Sequence, residues 1–494
     1  MKADVCMILE GSYPYVVGGV STWIHDLVTS LSDVSFHLVH IGVGIESPRK
    51  MRYTLPPNVL QFQQIPLMES IPWRGPRFRQ KRRSWEAVAR FLEDLSRDDT
   101  SGFRDLLHAL DPRSPEAITP YDVFHGKPFW NLLVQWYRQH FPDFSFLDYF
   151  WTLRFMALPL FRVLYAEVPP ARLYHATCTG YAGLLGAVAS IRTGAPLVLT
   201  EHGIYTNERM IEITQAQWIY RERTSSLVPT RQVGALQNLW MRKFEVLSRL
   251  SYAQATRIFT LYEGNRQMQI QGGAPPDRCE IIPNGIDLER YDAMHLARQE
   301  KLRGPPRVCM VGRVAPIKDV KTFIRAARMV HEEMPEVRFE VLGGTDEDES
   351  YLEECQRLVK VLSLKPVFDF PGAVDMKEHY PSISVLVLTS ISEAQPFVLL
   401  EAMRVGIPVV ATSVGACAEL VLGSGSDDEA LGPAGFITNV RSPRETADAI
   451  LALLRDPEMA RRMGETGRER VGRYYIRRKM LEEYRGVYRG LCGG

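Results

Sequence analysis

Cysteine is scarce in this chain: seven residues, at positions 6, 178, 279, 309, 355, 417 and 492, with no Cys-x-x-Cys among them. An odd count, with members inside apolar runs such as Val5-Cys6-Met7, argues against a disulfide frame or a zinc site. It fits buried free thiols in a reducing compartment. No run of 18 or more apolar residues occurs, so no segment reads as a membrane-spanning helix. Met1–Glu10 lacks the long apolar core of a signal peptide and reads as a first strand, so the expected location is cytoplasmic. Excess charge of one sign is missing as well. With 59 Lys and Arg against 58 Asp and Glu, the net charge of +1 gives no global reason to expect nucleic acid or an acidic partner. Internal repeats and low-complexity segments are absent.

What is present is an α/β rhythm, twice over. At 494 residues the chain exceeds the size of a single growing core, and 45% hydrophobic with 24% charged residues is ordinary for a globular protein. Val5–Glu10 and Phe36–Gly42 read as strands. Between them Gly18–Ser32 reads as a helix with Val20, Trp23, Ile24, Leu27, Val28 and Leu31 on one face, a βαβ unit. From about Pro66 to Pro170 an aromatic, helical stretch interrupts the rhythm as an insertion. Strands at 173–178, 196–201, 258–262 and 279–283 then alternate with helices, including a helical pair over 208–254. Polar residues 288–306 are the linker candidate. A second series follows, with near-continuous aliphatic strands at 307–312, 338–343, 367–371, 385–389 and 408–412, as expected where both sheet faces are covered. The expected architecture is two Rossmann-like doubly wound domains facing a central cleft, 1–290 and 305–472.

The sharpest local signal is Ser392-Glu393-Ala394-Gln395-Pro396-Phe397-Val398-Leu399-Leu400-Glu401-Ala402-Met403. It follows a strand, where ligands bind in open α/β sheets. Pro396 suits the first turn of a helix, and no Ser, Thr, Asp or Asn precedes it. The first N–H groups, around Phe397 and Val398, are therefore open to an anion such as a diphosphate. Spacing alone equally fits a surface loop acid at Glu393 and a solvated helix acid at Glu401.

Glu393 and Glu401, seven residues apart, resemble the EX7E motif of retaining GT-B glycosyltransferases, especially family GT4. Four further segments match that family in order: Gly18-Gly19-Val20, Glu201-His202-Gly203, Pro283-Asn284-Gly285-Ile286-Asp287, and Val311-Gly312-Arg313-Val314 with Lys318 beyond. The resemblance covers the chain outside 66–170. The insertion, with Glu201-His202-Gly203-Ile204-Tyr205 and Ser392-Glu393-Ala394-Gln395-Pro396, is similar to the PelF-type transferases of bacterial Pel exopolysaccharide synthesis. It implies a UDP-sugar donor, no metal or other cofactor, a polysaccharide acceptor, a membrane-embedded partner complex and no nucleic acid. It also implies a C-terminal helix, 473–494, packing back on the first domain.

Arg313 and Lys318 would then stabilise the departing diphosphate electrostatically. Glu401 would take the donor ribose hydroxyls, and Glu393 the hydroxyls of the donor sugar. His202 would lie near that sugar, and Gly18 and Gly19 would let the backbone approach phosphate or acceptor. Gly18-Gly19 also fits a plain tight turn, and Arg313 and Lys318 ordinary surface cations. Glu419 stands where the family often carries a Pro-Glu pair, with Ala418 in place of the proline. His37 and His40, three apart in a strand, point to opposite faces and make a poor metal pair. The run 74–83 holds six cations and no acid, fitting either a solvated loop or a patch for anionic lipid or an acidic partner. A nucleotide-sugar epimerase and a non-catalytic sugar-nucleotide-binding subunit are the alternative functions. The first lacks an evident catalytic pair in the first domain. The second has no use for the full charged set.

Overall fold

The computed structural model describes residues 2–44, 50–69, 81–96, 99–114, 116–215, 234–302, 304–345 and 348–493. The chain divides into two compact units, residues 1–260, 265–281 and 485–494 in the first, 261–264 and 282–484 in the second.

In the first unit the strands are β1 (Ala3–Glu10), β2 (Phe36–Gly42), β3 (Val59–Pro66), β4 (Ala171–Ala176), β5 (Leu197–Glu201), β6 (Arg257–Thr260) and β7 (Cys279–Ile281). They form one parallel sheet in the order β3-β2-β1-β4-β5-β6-β7. Its helices include α1 (Gly19–Ser30), α2 (Arg82–Ser96), α3 (Phe103–Ala109), α4 (Pro120–His125), α5 (Lys127–His140), α6 (Phe146–Leu164), α7 (Tyr181–Thr193), α8 (Tyr205–Gln215) and α9 (Ala235–Gln254). Helices α2–α6 all fall between β3 and β4, so the insertion is helical in its described residues. Trp23, Ile24, Leu27 and Val28 of α1 are buried, as the apolar face required.

The second unit carries β8 (Arg307–Val311), β9 (Arg338–Leu342), β10 (Phe368–Gly372), β11 (Val385–Leu388), β12 (Val409–Thr412) and β13 (Gly435–Thr438). They are also parallel, in the order β10-β9-β8-β11-β12-β13. Val385, Leu386, Val387 and Leu388 are at most 1% exposed, because helices cover both faces of β11.

Three expectations need correcting. The linker candidate 288–306 is instead mostly a helix, Leu288–Lys301. Its polarity hid a stripe at helical spacing: Tyr291, Met294 and Arg298 are all buried, and the helix lies wholly in the second unit. The units therefore divide after Ile281, earlier than 290–305, and the C-terminal helix is Arg477–Cys492, of which residues from 485 on belong to the first unit. Strands β3 and β13 had no clear signal: β3 is a partly exposed strand with three glutamines, and β13 is four residues long.

Residues 74–80 of the basic run, and 216–233 of the helical pair, lie outside the described residues. Lys81 is not a solvated cation, since it is 7% exposed and forms a salt bridge with Asp122. Arg82 pairs with Glu86 one turn on, at 2.9 Å. Among the described residues, no helix is long and apolar enough to cross a membrane.

Candidate functional site

In the second sheet the strand order reverses between β8 and β11, so the loops after these strands, 312–319 and 389–396, flank the place where open α/β sheets take ligands. The two loops are stitched together. Thr389 Oγ1 donates to the carbonyls of Lys318 and Asp319 at 3.1 and 3.0 Å, and the Ile391 N–H donates to the Ile317 carbonyl at 2.8 Å. Asp319 has φ +45 and accepts from Thr322 Oγ1 at 2.7 Å, turning the chain into the helix Val320–Glu333.

That stitching brings Lys318 Nζ to 2.5 Å from Glu393 Oε1, which also accepts from Ser390 Oγ at 2.6 Å. The side chains are 18% and 12% exposed. At such burial the attraction far exceeds its value in water. The sequence placed these two residues at one site without pairing them. Arg313, on the same loop as Lys318, is exposed.

Pro396 is the residue before the helix rather than its first turn. Its ψ of 118 is extended, and the helix runs from Phe397 to Val405 with no side-chain cap at its start. The Phe397 and Val398 N–H groups thus open the helix. Glu401 sits one turn inside it. Its Oε1 accepts from the Tyr291 hydroxyl at 2.8 Å and its Oε2 from that of Tyr380 at 2.7 Å. Burial, then the charge of Glu401, pushes both phenols up, so they stay protonated donors. Each carboxylate oxygen keeps a second lone pair for a further donor.

Two glycines fix the surrounding backbone. Gly415 has φ +53, and a Cβ there would lie 2.1 Å from the Glu393 carbonyl oxygen. Its neighbour Ala416 donates N–H to the Ala394 carbonyl at 2.7 Å. Gly285 lies so close to the chain at 476–477 that a Cβ would meet Arg477 N at 2.4 Å. Beside it, the Asn284 N–H donates to Gln395 Oε1 at 2.6 Å, which ties two of the matched segments together. Glu419 accepts from the N–H groups of Glu263 and Gly264, at 3.4 and 3.3 Å.

In the first sheet the order reverses between β1 and β4. Gly18 precedes α1 with φ 177, extended backbone that any residue adopts, and a Cβ there would touch nothing within 4 Å. It is not the tight turn that was the plain alternative. No side chain caps α1. His202 follows β5 and is 7% exposed, its ring edge-on to Trp23 at 4.7 Å. Its backbone oxygen accepts from Asn265 Nδ2 at 2.8 Å, while the buried Nε2 has no hydrogen-bond partner among the described residues. Burial lowers its pKa to about 4, so the ring is neutral at physiological pH.

Neighbouring Glu201 is held by Thr179 Oγ1 at 2.9 Å, the Tyr252 hydroxyl at 2.6 Å and Gln269 Nε2 at 3.0 Å. Its role is to brace the strand end. Glu10, at the end of β1, accepts from the Tyr205 hydroxyl at 2.6 Å, Cys178 Sγ at 3.3 Å and the Ala182 N–H at 3.1 Å. Fully buried His175 bonds the Tyr488 hydroxyl at 2.7 Å and Thr200 Oγ1 at 2.8 Å, and burial lowers its pKa to about 3.

Sequence reasoning missed Glu10, Tyr291, Tyr380, Ser390 and Gly415. For Ser390 a signal existed, since it sits at a strand end three residues before Glu393. For the two tyrosines, 110 and 21 residues from Glu401, none did.

The two parallel Rossmann-like sheets place the fold in the GT-B class. The family model described as Glycosyl transferases group 1 matches residues 295–470. Through residues 3–277, more than half its length, the chain belongs to the family described as Domain of unknown function (DUF3492). It is 28% identical to the D-inositol 3-phosphate glycosyltransferase of Paenarthrobacter aurescens, over 44% of this chain and 54% of that protein. To the alpha-maltose-1-phosphate synthase of Mycolicibacterium smegmatis it is 26% identical, over 63% and 77%. The chain thus spans about half the length of the first of these relatives. The fold is that of HepE from Anabaena, solved in complex with UDP, at TM-score 0.61, 16% identity and coverage of 99% and 100%. Sucrose-phosphate synthase from Thermosynechococcus elongatus follows at TM-score 0.58, 17% identity and coverage of 99% and 98%.

Proposed function

We propose that the chain is a retaining, metal-independent hexosyltransferase. Its donor would be a UDP-sugar, UDP-glucose or a UDP-N-acetylhexosamine. Its acceptor would be a growing exopolysaccharide on the cytoplasmic side, as in PelF-type enzymes serving a membrane-embedded synthase. The observation that carries the reading is the Lys318–Glu393 pair at 2.5 Å, set at the strand-order reversal of the second sheet beside an uncapped helix start. A cation and free N–H groups suit a diphosphate, and a carboxylate suits sugar hydroxyls.

In this reading Arg313 and Lys318 bind the diphosphate with the Phe397 and Val398 N–H groups, and Pro396 sets the entry of that helix. Glu401 takes the ribose hydroxyls and Glu393 the hexose. Gly18, Gly19 and His202 serve the first unit's contacts to phosphate and sugar. The acceptor hydroxyl oxygen bonds the anomeric carbon on the face from which the phosphate oxygen leaves, and the hydroxyl proton passes to that departing phosphate. Two cations offset the growing negative charge, the task a metal performs elsewhere.

A thermal-shift panel with UDP, GDP, ADP and their sugar conjugates, with and without EDTA, tests this. At 100 times its Kd, UDP is expected to stabilise by about 2.7 kcal/mol, unchanged by EDTA. A response to none of the nucleotides overturns the reading, and one abolished by EDTA removes metal independence. Proton NMR of the product of transfer checks retention of the anomeric configuration.

A further inference from the structure

The first unit carries an apolar groove of about 380 Å3, lined by Val43, Leu67, Met68, Phe155, Pro159, Tyr181 and Trp240. Val43 follows β2, Leu67 and Met68 follow β3, and Tyr181 opens α7 after β4. The groove therefore lies at the carboxyl edge of the sheet, where ligands bind.

It continues along α6. Pro159, Phe155, Trp151 and Leu147 are spaced four apart and share one helix face. The last three are 48%, 51% and 66% exposed. Trp151 stands edge-on to Phe150 at 5.3 Å, and Phe150 lies 5.9 Å from Trp130, itself 46% exposed. The strip from Pro159 to Leu147 is about 18 Å long at 1.5 Å per residue. An exposed apolar strip that leads into a groove marks a binding surface rather than ordinary scatter.

A cation stands behind two of the lining rings. Lys243 Nζ lies 4.7 Å from the Trp240 ring centroid and 4.8 Å from that of Tyr181, and it hydrogen-bonds the Tyr181 hydroxyl. Among the described residues no carboxylate forms a salt bridge with it. Burial pushes this ammonium down to about 7, opposed by the charge of Glu10, and an anion beside it would draw it back up. An apolar groove with a cation behind its Tyr181 and Trp240 rings, in no salt bridge among the described residues, is complementary to a hydrocarbon chain ending in an anion. A flat bilayer surface could meet Trp151 and Leu147 but would not enter the groove.

We propose that this groove holds the hydrocarbon chain of a lipid phosphate that carries the sugar acceptor, with the chain along α6 and the phosphate at Lys243. The inference rests on reading the first unit as the acceptor side of a glycosyltransferase.

Calorimetric titration of the full chain with farnesyl phosphate, farnesol and inorganic phosphate, each below micelle-forming concentration, tests it. Farnesyl phosphate is expected to bind saturably and farnesol about ten-fold more weakly. Inorganic phosphate should give no saturable heat. Phe155→Ser and Trp240→Ala should each weaken farnesyl phosphate about ten-fold. Lys243→Gln should abolish its advantage over farnesol. The thermal response to UDP should stay unchanged in all three variants, which also shows that they fold. No binding of farnesyl phosphate, binding that ignores these substitutions, or capture only by anionic phosphatidylglycerol vesicles would overturn the inference. A normal UDP response without farnesyl phosphate binding sinks the inference alone. Farnesyl phosphate binding without a response to any nucleotide sinks the transferase reading and leaves the lipid-phosphate groove standing.

Discussion

Lys318 Nζ lies 2.5 Å from Glu393 Oε1, joining two loops 75 residues apart in the chain. Each residue has a use of its own in the proposed chemistry, yet each also sets the position of the other. Removing either leaves a charge in a site only 12–18% exposed, a loss larger than that of a surface pair.

Lys318→Ala is accordingly expected to lower turnover of the UDP-sugar by about 100-fold or more, the loss seen when one preorganised donor to a developing anion is removed. Glu393→Ala should weaken it too, and the double variant should lose less than the two effects combined. A double-mutant cycle on UDP binding should give a coupling of at least about 1 kcal/mol. Additive losses would show that the pair does not act as a unit.

Tyr380 is fully buried, and its hydroxyl holds Glu401 Oε2. Tyr380→Phe should cost about 1.5–3 kcal/mol in urea denaturation, the worth of a hydrogen bond to a charged group. It should weaken UDP less than Glu401→Ala, because the carboxylate stays in place. An equal loss of UDP affinity from both changes would assign Glu401 a purely structural role.

Gly415→Ala puts a Cβ 2.1 Å from the carbonyl of Glu393 in left-handed backbone. It should destabilise by about 3 kcal/mol or more and blunt the UDP response. Gly194 is also left-handed, with φ +74 and ψ 2, but its Cβ would meet nothing within 4 Å. Gly194→Ala should therefore cost only about 1 kcal/mol and leave UDP binding intact. Comparing the two melting curves separates crowding from backbone strain.

His202 and His175 are held neutral by burial, with pKa values of about 4 and about 3. Both lie below the unfolded imidazole value of about 6.5, so on acidification the unfolded chain takes up protons first. The stability they contribute is present above about pH 6.5 and is lost as pH falls through 4 toward 3. Urea unfolding at pH 7.5 and pH 5 should show a loss to which each ring adds about 2 kcal/mol. In His202→Asn the loss should shrink by that amount. No change in the variant would mean that His202 is already free to protonate when folded.

Much of the fold is legible in the residues themselves. Aliphatic runs such as Val385–Leu388 and Val409–Thr412 can only be covered strands, and their alternation with helices dictates parallel sheets. Elsewhere a local average hides the pattern: the polar 288–301 segment, which reads as a linker, carries a sparse buried stripe at Tyr291, Met294 and Arg298. The motif at 393–401 is legible too, since its two carboxylates lie within one loop and one helix.

The sequence by itself therefore determined two α/β units, the helical insertion and the identity of the charged residues at the strand ends. Tertiary structure alone decided that Lys318 faces Glu393 and that tyrosines from two other segments hold Glu401. It also decided that Gly415 must be glycine because a carbonyl lies against it. The physical reason is range. Periodicity and capping act over a few residues, whereas these contacts join positions 21 to 110 residues apart or closed by a neighbouring backbone, and only packing sets them.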